Sequence, residues 1–449
     1  MTAPRLRTCG LLLGAGNLSL SACTSESTSD ITRTLPPPSA ESTAPPRTDP
    51  ESTADEPIAL PPTPPGEAIV DGRANGLILV LDAQQRSLEV LQVDGTRVAT
   101  LAGENGEFVL QPVWSPDGRR VAWARSADGA EWELTHAAVD GTDAQTIPLP
   151  GQPDYLAFDP TSSLITALTP SPLGFGLVVA GLSVDDEPRV VDVGRPYFTD
   201  FSPEGDRIVA HVGTDVRIVD MVGAAGETSS IGGPSTTHQT PQWHPDDDVV
   251  VYTIDEGPSG GQLVQRRLGE EDGATIADFD GFLLFDLDPT GRQLAVSSLP
   301  GEADPGTPRA MRRRQEQLAA GLSVIDLVDG STIPLADRPT SAPLWDPTGT
   351  KVLVRDALAG VGQWTVHHVR DGRSEATDSF SVDDSQMPLY LRFWDQYVRS
   401  HSAWSPDGEH FVHVGAAADG RSGVWVHDAS MSGPSAFLAD GDLALWSPT

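Results

Sequence analysis

The side chains that could do chemistry are few and widely spaced. Gly257-Pro258-Ser259-Gly260-Gly261 matches the letters of a hydrolase nucleophile elbow, in which a sharp strand-to-helix turn exposes a serine. Here the flanking residues read as two strands of one sheet and no helix follows, so the serine lacks the setting that would expose it. The ten histidines are scattered. His367 and His368 fall on an expected strand, where neighbours point to opposite faces and cannot share one metal ion without distortion. No His-Glu metalloprotease pair, phosphate-binding glycine loop ending in Lys-Ser/Thr, or calcium-loop pattern occurs. No catalytic residue, metal or cofactor is therefore expected.

Two stretches concentrate binding chemistry instead. The first, around Pro308, reads as a short helix carrying Arg309, Arg312, Arg313 and Arg314. Such a cluster suits an acidic partner, anionic lipid headgroups or a phosphorylated ligand, or else neutralises the protein's own acidic surface. In the second, Tyr390, Phe393, Trp394 and Tyr397 follow i, i+3, i+4, i+7 spacing and would share one helical face. That stripe either packs on the scaffold or forms an aromatic recognition patch rimmed by Asp395, Arg399 and His401.

Both stretches interrupt a repeat that sets the architecture. A large apolar residue, a small polar residue, proline and a turn pair recur before an apolar strand. The clearest copies are Trp114-Ser115-Pro116-Asp117-Gly118 and Trp404-Ser405-Pro406-Asp407-Gly408. Others begin at Phe158, Phe201, Trp243, Leu287, Trp345 and Trp446, making eight anchors. Their prolines recur at about 42–44 residues, with two gaps of about 58–59, and the shorter interval matches four short strands per propeller blade. Proline, lacking an N–H, ends the first strand of a blade, and the Asp-Gly type pair supplies the tight turn into the second. The aromatic ring would fill space between blades.

These cassettes resemble the WD40-like repeats of TolB-like propellers, which also form the propeller domains of prolyl-oligopeptidase-type peptidases. The resemblance covers residues 67–449 and extends to the stretch from Asp395 into Trp404. It implies an all-β fold, an eight-bladed β-propeller with a seven-bladed ring as the alternative. It implies no particular activity. Three strands precede the first anchor, Leu77 to Leu81, Leu88 to Val93 and Val98 to Leu101, and lack a motif strand. Leu443-Ala444-Leu445-Trp446 is a motif strand with no successor. The C-terminal strand is therefore expected to complete the first blade and close the ring, removing exposed sheet edges.

Cys9 and Cys23 are the only cysteines, so the expected propeller has no disulfide or Cys-metal site. Arg5 and Arg7 precede a mostly apolar stretch that ends in Leu20-Ser21-Ala22-Cys23. This resembles the lipobox of bacterial lipoproteins, in which the leader is cut before the cysteine and lipid is attached to its sulfur. Residues 1–22 are then a lipoprotein signal peptide, and Cys23 anchors the chain to the bacterial cell membrane on its extracytoplasmic side. Residues 23–66, rich in Ser, Thr, Pro and acids, cannot bury enough apolar surface to order themselves and read as a disordered tether. Across the 449 residues, 64 Asp and Glu oppose 29 Lys and Arg, a net charge of −35 that repels phosphate and excludes a general nucleic-acid binder. The expectation is a monomeric binding module that presents one rim to a protein or envelope partner. The alternatives are a secreted propeller hydrolase or lyase with its site at the channel mouth, and a binding accessory of a transporter.

Overall fold

The structure, a computed structural model, describes residues 76–449 apart from 85, 104–105, 184–185, 223–226, 234–238, 246–247, 256–259, 280 and 300–320. Eight antiparallel sheets follow one another along the chain, so the ring has eight blades rather than seven. Blade 2 shows the plan, with strands Phe108–Trp114, Arg120–Ser126, Trp132–Ala138 and Gln145–Leu149 paired in sequence order from the inner strand outward. Blades are covered on both faces, which explains why their second strands are continuous apolar runs rather than alternating ones. Val121, Ala122, Trp123 and Ala124 are all buried. In blade 8 the inner strand shrinks to a single bridge between Trp404 and Phe411, while Val361–Gly362 and Phe380–Ser381 extend the same sheet.

The cassette works mainly through the polar residue before each proline. The hydroxyls of Ser115, Ser202 and Ser405 accept the backbone N–H groups of Arg120, Arg207 and His410 at 2.9, 3.1 and 3.0 Å. Where that residue is aspartate, the carboxylates of Asp159, Asp288 and Asp346 accept from Leu164, Gln293 and Lys351, each at 2.6 Å. Each turn is thereby capped by its own side chain. The glycine of the cassette is left-handed, as at Gly205 (φ 72°) and Gly408 (φ 68°). There is a second reason for glycine. A Cβ on Gly205 would lie 2.5 Å from the Asp159 carboxylate, and one on Gly408 2.6 Å from that of Asp346, each in the preceding blade.

The anchor rings join blade to blade. The indole N–H of Trp114 donates to the carbonyl of Leu445, that of Trp345 to Asp286, and that of Trp404 to Leu344, at 3.1, 2.9 and 3.3 Å. In each case the acceptor is the residue just before the anchor of the preceding blade. An aromatic ring with one polar atom suits this task, because its area fills the gap and its N–H finds a partner.

Blade 1 closes the ring as its unpaired strands required. Leu443–Trp446 pairs antiparallel with Leu77–Asp82, setting Ile78 opposite Trp446, Leu79 opposite Leu445 and Leu81 opposite Leu443. Ser447 Oγ accepts the Leu77 N–H at 2.8 Å and extends the join by one residue. Trp446 is fully buried. Trp446→Ala is expected to lower stability by about 3–5 kcal/mol, the usual cost of deleting a buried aromatic side chain. A urea titration would show this as an earlier midpoint, and an unchanged midpoint would contradict closure by this strand.

Candidate binding site

The connection between blades 7 and 8 does not loop over the surface. It forms two short helices, α1 (Met387–Arg392) and α2 (Trp394–Tyr397), and then runs along the inner strands as far as Ser402, whose carbonyl accepts the Trp446 N–H at 2.8 Å. Phe393 breaks the helix (φ −119°, ψ 28°), so the expected single helical face becomes two. Three consecutive residues of α2 then hold four blades. Asp395 Oδ2 accepts the Thr240 N–H at 2.9 Å beside blade 5. Gln396 accepts from Thr199 N at 2.8 Å and donates to Thr199 O at 2.9 Å in blade 4. The Tyr397 hydroxyl accepts from Gln111 Nε2 of blade 2 at 3.1 Å and donates to the Asp154 carbonyl, which leads into blade 3, at 3.2 Å. Gln111 lies in a strand irregularity between Leu110 and Val113 with φ 52°, a conformation that carries strain in a non-glycine residue and marks a tightly held position. The segment from Met387 to Ser402 is thus a plug in the central channel that supplies hydrogen-bond partners to inner strands from several blades.

Beyond Tyr397 the plug becomes charged. Arg399 Nε lies 3.3 Å from Asp200 Oδ2 of blade 4, and Nη1 lies 3.7 Å from Asp286 Oδ1 of blade 6. Both carboxylates also tie adjacent blades together. Asp200 accepts the Trp243 N–H at 2.8 Å and Asp286 the Trp345 N–H at 3.1 Å. Between them Gln242 donates to the Phe285 carbonyl at 3.0 Å and accepts the Leu287 N–H at 2.7 Å. Burial raises both carboxyls above the ordinary range, to about 6 for Asp286, against the opposing pull of Arg399. The Ser400 hydroxyl lies 2.8 Å from the Tyr155 hydroxyl and 2.7 Å from His401 Nδ1. Burial lowers the His401 imidazole to about 3, so it is neutral at ordinary pH.

Val398, Arg399, Ser400, His401 and Ser402 form the floor of a cavity of about 410 Å³ at the end of the channel where the motif turns lie. Its rim carries Pro116, Pro160, Pro203, Pro245 and Pro448, one proline from each of five cassettes. Trp114, Phe158, Phe201, Trp243 and Trp446 stand behind them. The volume falls in the range of small-molecule sites, which are mostly apolar with a few placed polar groups.

The expected site residues are distributed unevenly over this arrangement. Tyr390, Trp394 and Tyr397 are buried, and Phe393 is half-buried at the helix break, so these rings serve as packing for the plug. Ring centroids lie 4.5 Å apart for Tyr390 and Tyr397, and 4.9 Å for Tyr397 and His401. Arg399 and His401 come together on the cavity floor. Arg309, Arg312, Arg313, Arg314 and Cys23 lie outside the described residues, as does Ser259. Asp200, Gln242 and Asp286 went unnoticed in the sequence. Their signal was available, since the residue before the anchor is polar in blades 4, 5 and 6 and apolar in the other five.

Several solved structures share this architecture. A eukaryotic initiation factor, 10% identical, aligns over 84% of this chain and 99% of its own with a TM-score of 0.52. Dihydro-heme d1 dehydrogenase NirN, solved in complex with DHE, is 14% identical over 86% of this chain and 76% of its own, with a TM-score of 0.50. The chain is an eight-bladed β-propeller. TolB from Acinetobacter baumannii is also among the neighbours, at 13% identity, 67% and 62% coverage and a TM-score of 0.38. At such identities the likeness of the propeller to these proteins is one of fold alone. No family model matches the chain, and no curated protein matches it.

Two measurements probe the plug. Arg399→Ala leaves two buried carboxylates without their cation and is expected to cost about 3–5 kcal/mol near pH 7. A carboxyl raised to about 6 from 3.8 favours the fold below the lower value and loses that contribution as pH rises through the higher one. The deficit of the variant, read from urea midpoints, should therefore shrink at about pH 5, where Asp286 holds a proton. For His401 the shift is downward, so its contribution is complete above 6.5 and is lost as pH falls towards about 3. Its imidazole C–H resonance should stay unmoved through the range where an exposed histidine titrates, and a midpoint near 6.5 would show the ring to be solvated.

Proposed function

We propose that the chain is a binding propeller tethered by lipid on Cys23 to the extracytoplasmic side of a bacterial cell membrane, and that it receives a protein or another envelope component at the proline-rimmed mouth. The observation that carries this reading is the cavity of about 410 Å³ whose floor is the plug itself. An open, largely apolar recess with a rigid floor is suited to recognition. The charged groups at that floor hold one another and the backbones of neighbouring blades, as Arg399 does with Asp200 and as Asp200 does with Trp243. The placement at the membrane rests on Leu20-Ser21-Ala22-Cys23 and the proline-rich tether that follows.

A hydrolase or lyase with its site at the mouth is the second reading, and one observation favours it. A carboxyl with raised pKa, Asp200, and a neutral histidine, His401, both line the mouth, the kind of pairing that marks acid–base sites. Against it, Asp286 is 5% exposed and lies outside the cavity lining, and Asp200 is paired with Arg399 rather than with His401. Turnover that Asp200→Asn abolishes while the fold is retained would favour the enzyme.

Cys23→Ser is expected to move the full chain from the membrane fraction to the soluble fraction and to abolish incorporation of labelled palmitate. A wild-type chain that appears in the soluble fraction without lipid would overturn the anchored reading.

A further inference from the structure

The wall and the floor of the mouth offer a ligand different chemistry. Its five rim prolines have no N–H to donate, and Phe201 adds a half-exposed ring. Polar contacts are therefore concentrated at the floor, on Arg399, Asp200, Ser400 and Ser402. The guanidinium there is loosely held. Its contacts to Asp200, the Leu287 carbonyl and the Trp243 carbonyl are 3.3, 3.4 and 3.5 Å, whereas a well-made charged hydrogen bond spans about 2.7–2.9 Å. Asp286 Oδ1 is buried, has no hydrogen-bond partner and lies 3.7 Å from Nη1. The floor thus presents under-used donors, and the unmet acceptor lies behind them, outside the cavity lining.

Charge narrows the choice further. One cation stands between two carboxylates that offset its charge in a chain of net charge −35, so an anionic ligand is repelled at long range and gains little net attraction at the floor. A cationic ligand meets the guanidinium first, because Arg399 is 24% exposed and Asp200 8%. A neutral group that both accepts and donates hydrogen bonds suffers neither penalty. An extended peptide has that character too, but the Thr199 N–H and C=O and the Thr240 N–H, groups with which it would pair, are already taken by Gln396 and Asp395. A sugar ring needs no strand edge. Its C–H face suits proline and aromatic walls, and its adjacent hydroxyls can accept from Arg399 while donating to a carboxylate.

We infer that the mouth binds a neutral carbohydrate, with one sugar residue seated on Arg399 and Asp200 and packed against Phe201 and the rim prolines. This rests on the mouth being the binding face and adds the ligand class. The test applies the fluorescently labelled full chain to an array of neutral and acidic glycans and to proline-rich and basic peptides, with hits titrated through tryptophan fluorescence, since Trp114, Trp243 and Trp446 line the cavity. Saturable binding of a neutral glycan is expected in the micromolar to low millimolar range, with its uronate counterpart at least about tenfold weaker. Phe201→Ala should weaken it by about fivefold or more through lost packing on the sugar face. Arg399→Lys keeps the charge and is expected to weaken it similarly by losing the forked donor geometry. If Arg399→Lys does not fold, Phe201→Ala and the ranking of ligands decide. Tightest binding to a uronate glycan, or neutral-glycan binding that Phe201→Ala leaves unchanged, would overturn the inference. Tightest binding to a peptide, lost in Phe201→Ala, would overturn the sugar and keep the mouth. Binding to none of these would overturn both.

Discussion

A ring of sheets is stable only if its last member meets its first, and here four residues make that join. The pairing of Leu443–Trp446 with Leu77–Asp82 converts two open sheet edges into a continuous ladder. Without it the inner edge of blade 1 would be exposed, which is the usual route to edge-to-edge association. The join also fixes the relative placement of every other blade. The rings of Trp114, Trp345 and Trp404 each donate to a carbonyl of the preceding blade, and the bond from Trp114 to Leu445 carries that chain across the seam. The seam is therefore built like the other junctions, with a covalent link replaced by hydrogen bonds.

Eight inner strands surround an axis that no single strand can fill, and the exposed polar groups of those strands need partners. The plug meets both needs. Its aromatic residues fill space near the axis, while Asp395, Gln396 and Tyr397 each serve a different blade. Because the plug stops short of the motif turns, the remaining volume becomes a recess. The shape of the mouth is thus a consequence of how far the plug extends. The polar character of the floor follows from which residues end it, namely Arg399, Ser400 and His401.

Much of the fold was legible because the repeat is local. Proline, glycine and the aromatic anchor act within a few residues of one another, so eight copies could be counted and the unmatched ends paired. The role of the small polar residue was less visible. Ser115 and Asp159 cap the same turn by different chemistry, and only the geometry shows that a hydroxyl and a carboxylate are equivalent there. The aromatic stripe at Tyr390 to Tyr397 was correctly spaced for burial, but nothing in the spacing says that the segment enters the channel. Asp200 and Asp286 were hidden for a related reason. They are far apart in sequence, each shows there only as a polar residue where most blades have an apolar one, and they become a pair only through Arg399.

A segment that occupies the axis of a closed ring constrains the order of assembly. The plug precedes the closing strand along the chain, and its hydrogen bonds reach blades 2 to 6, which come before it. Early blades can gather around Tyr397 and Arg399 while the circle is still open, and the clasp then fastens around an occupied centre. Had the same residues been placed after the clasp, they would have had to enter a finished circle from one end. Sequence position thus turns a tube-filling problem into one of wrapping.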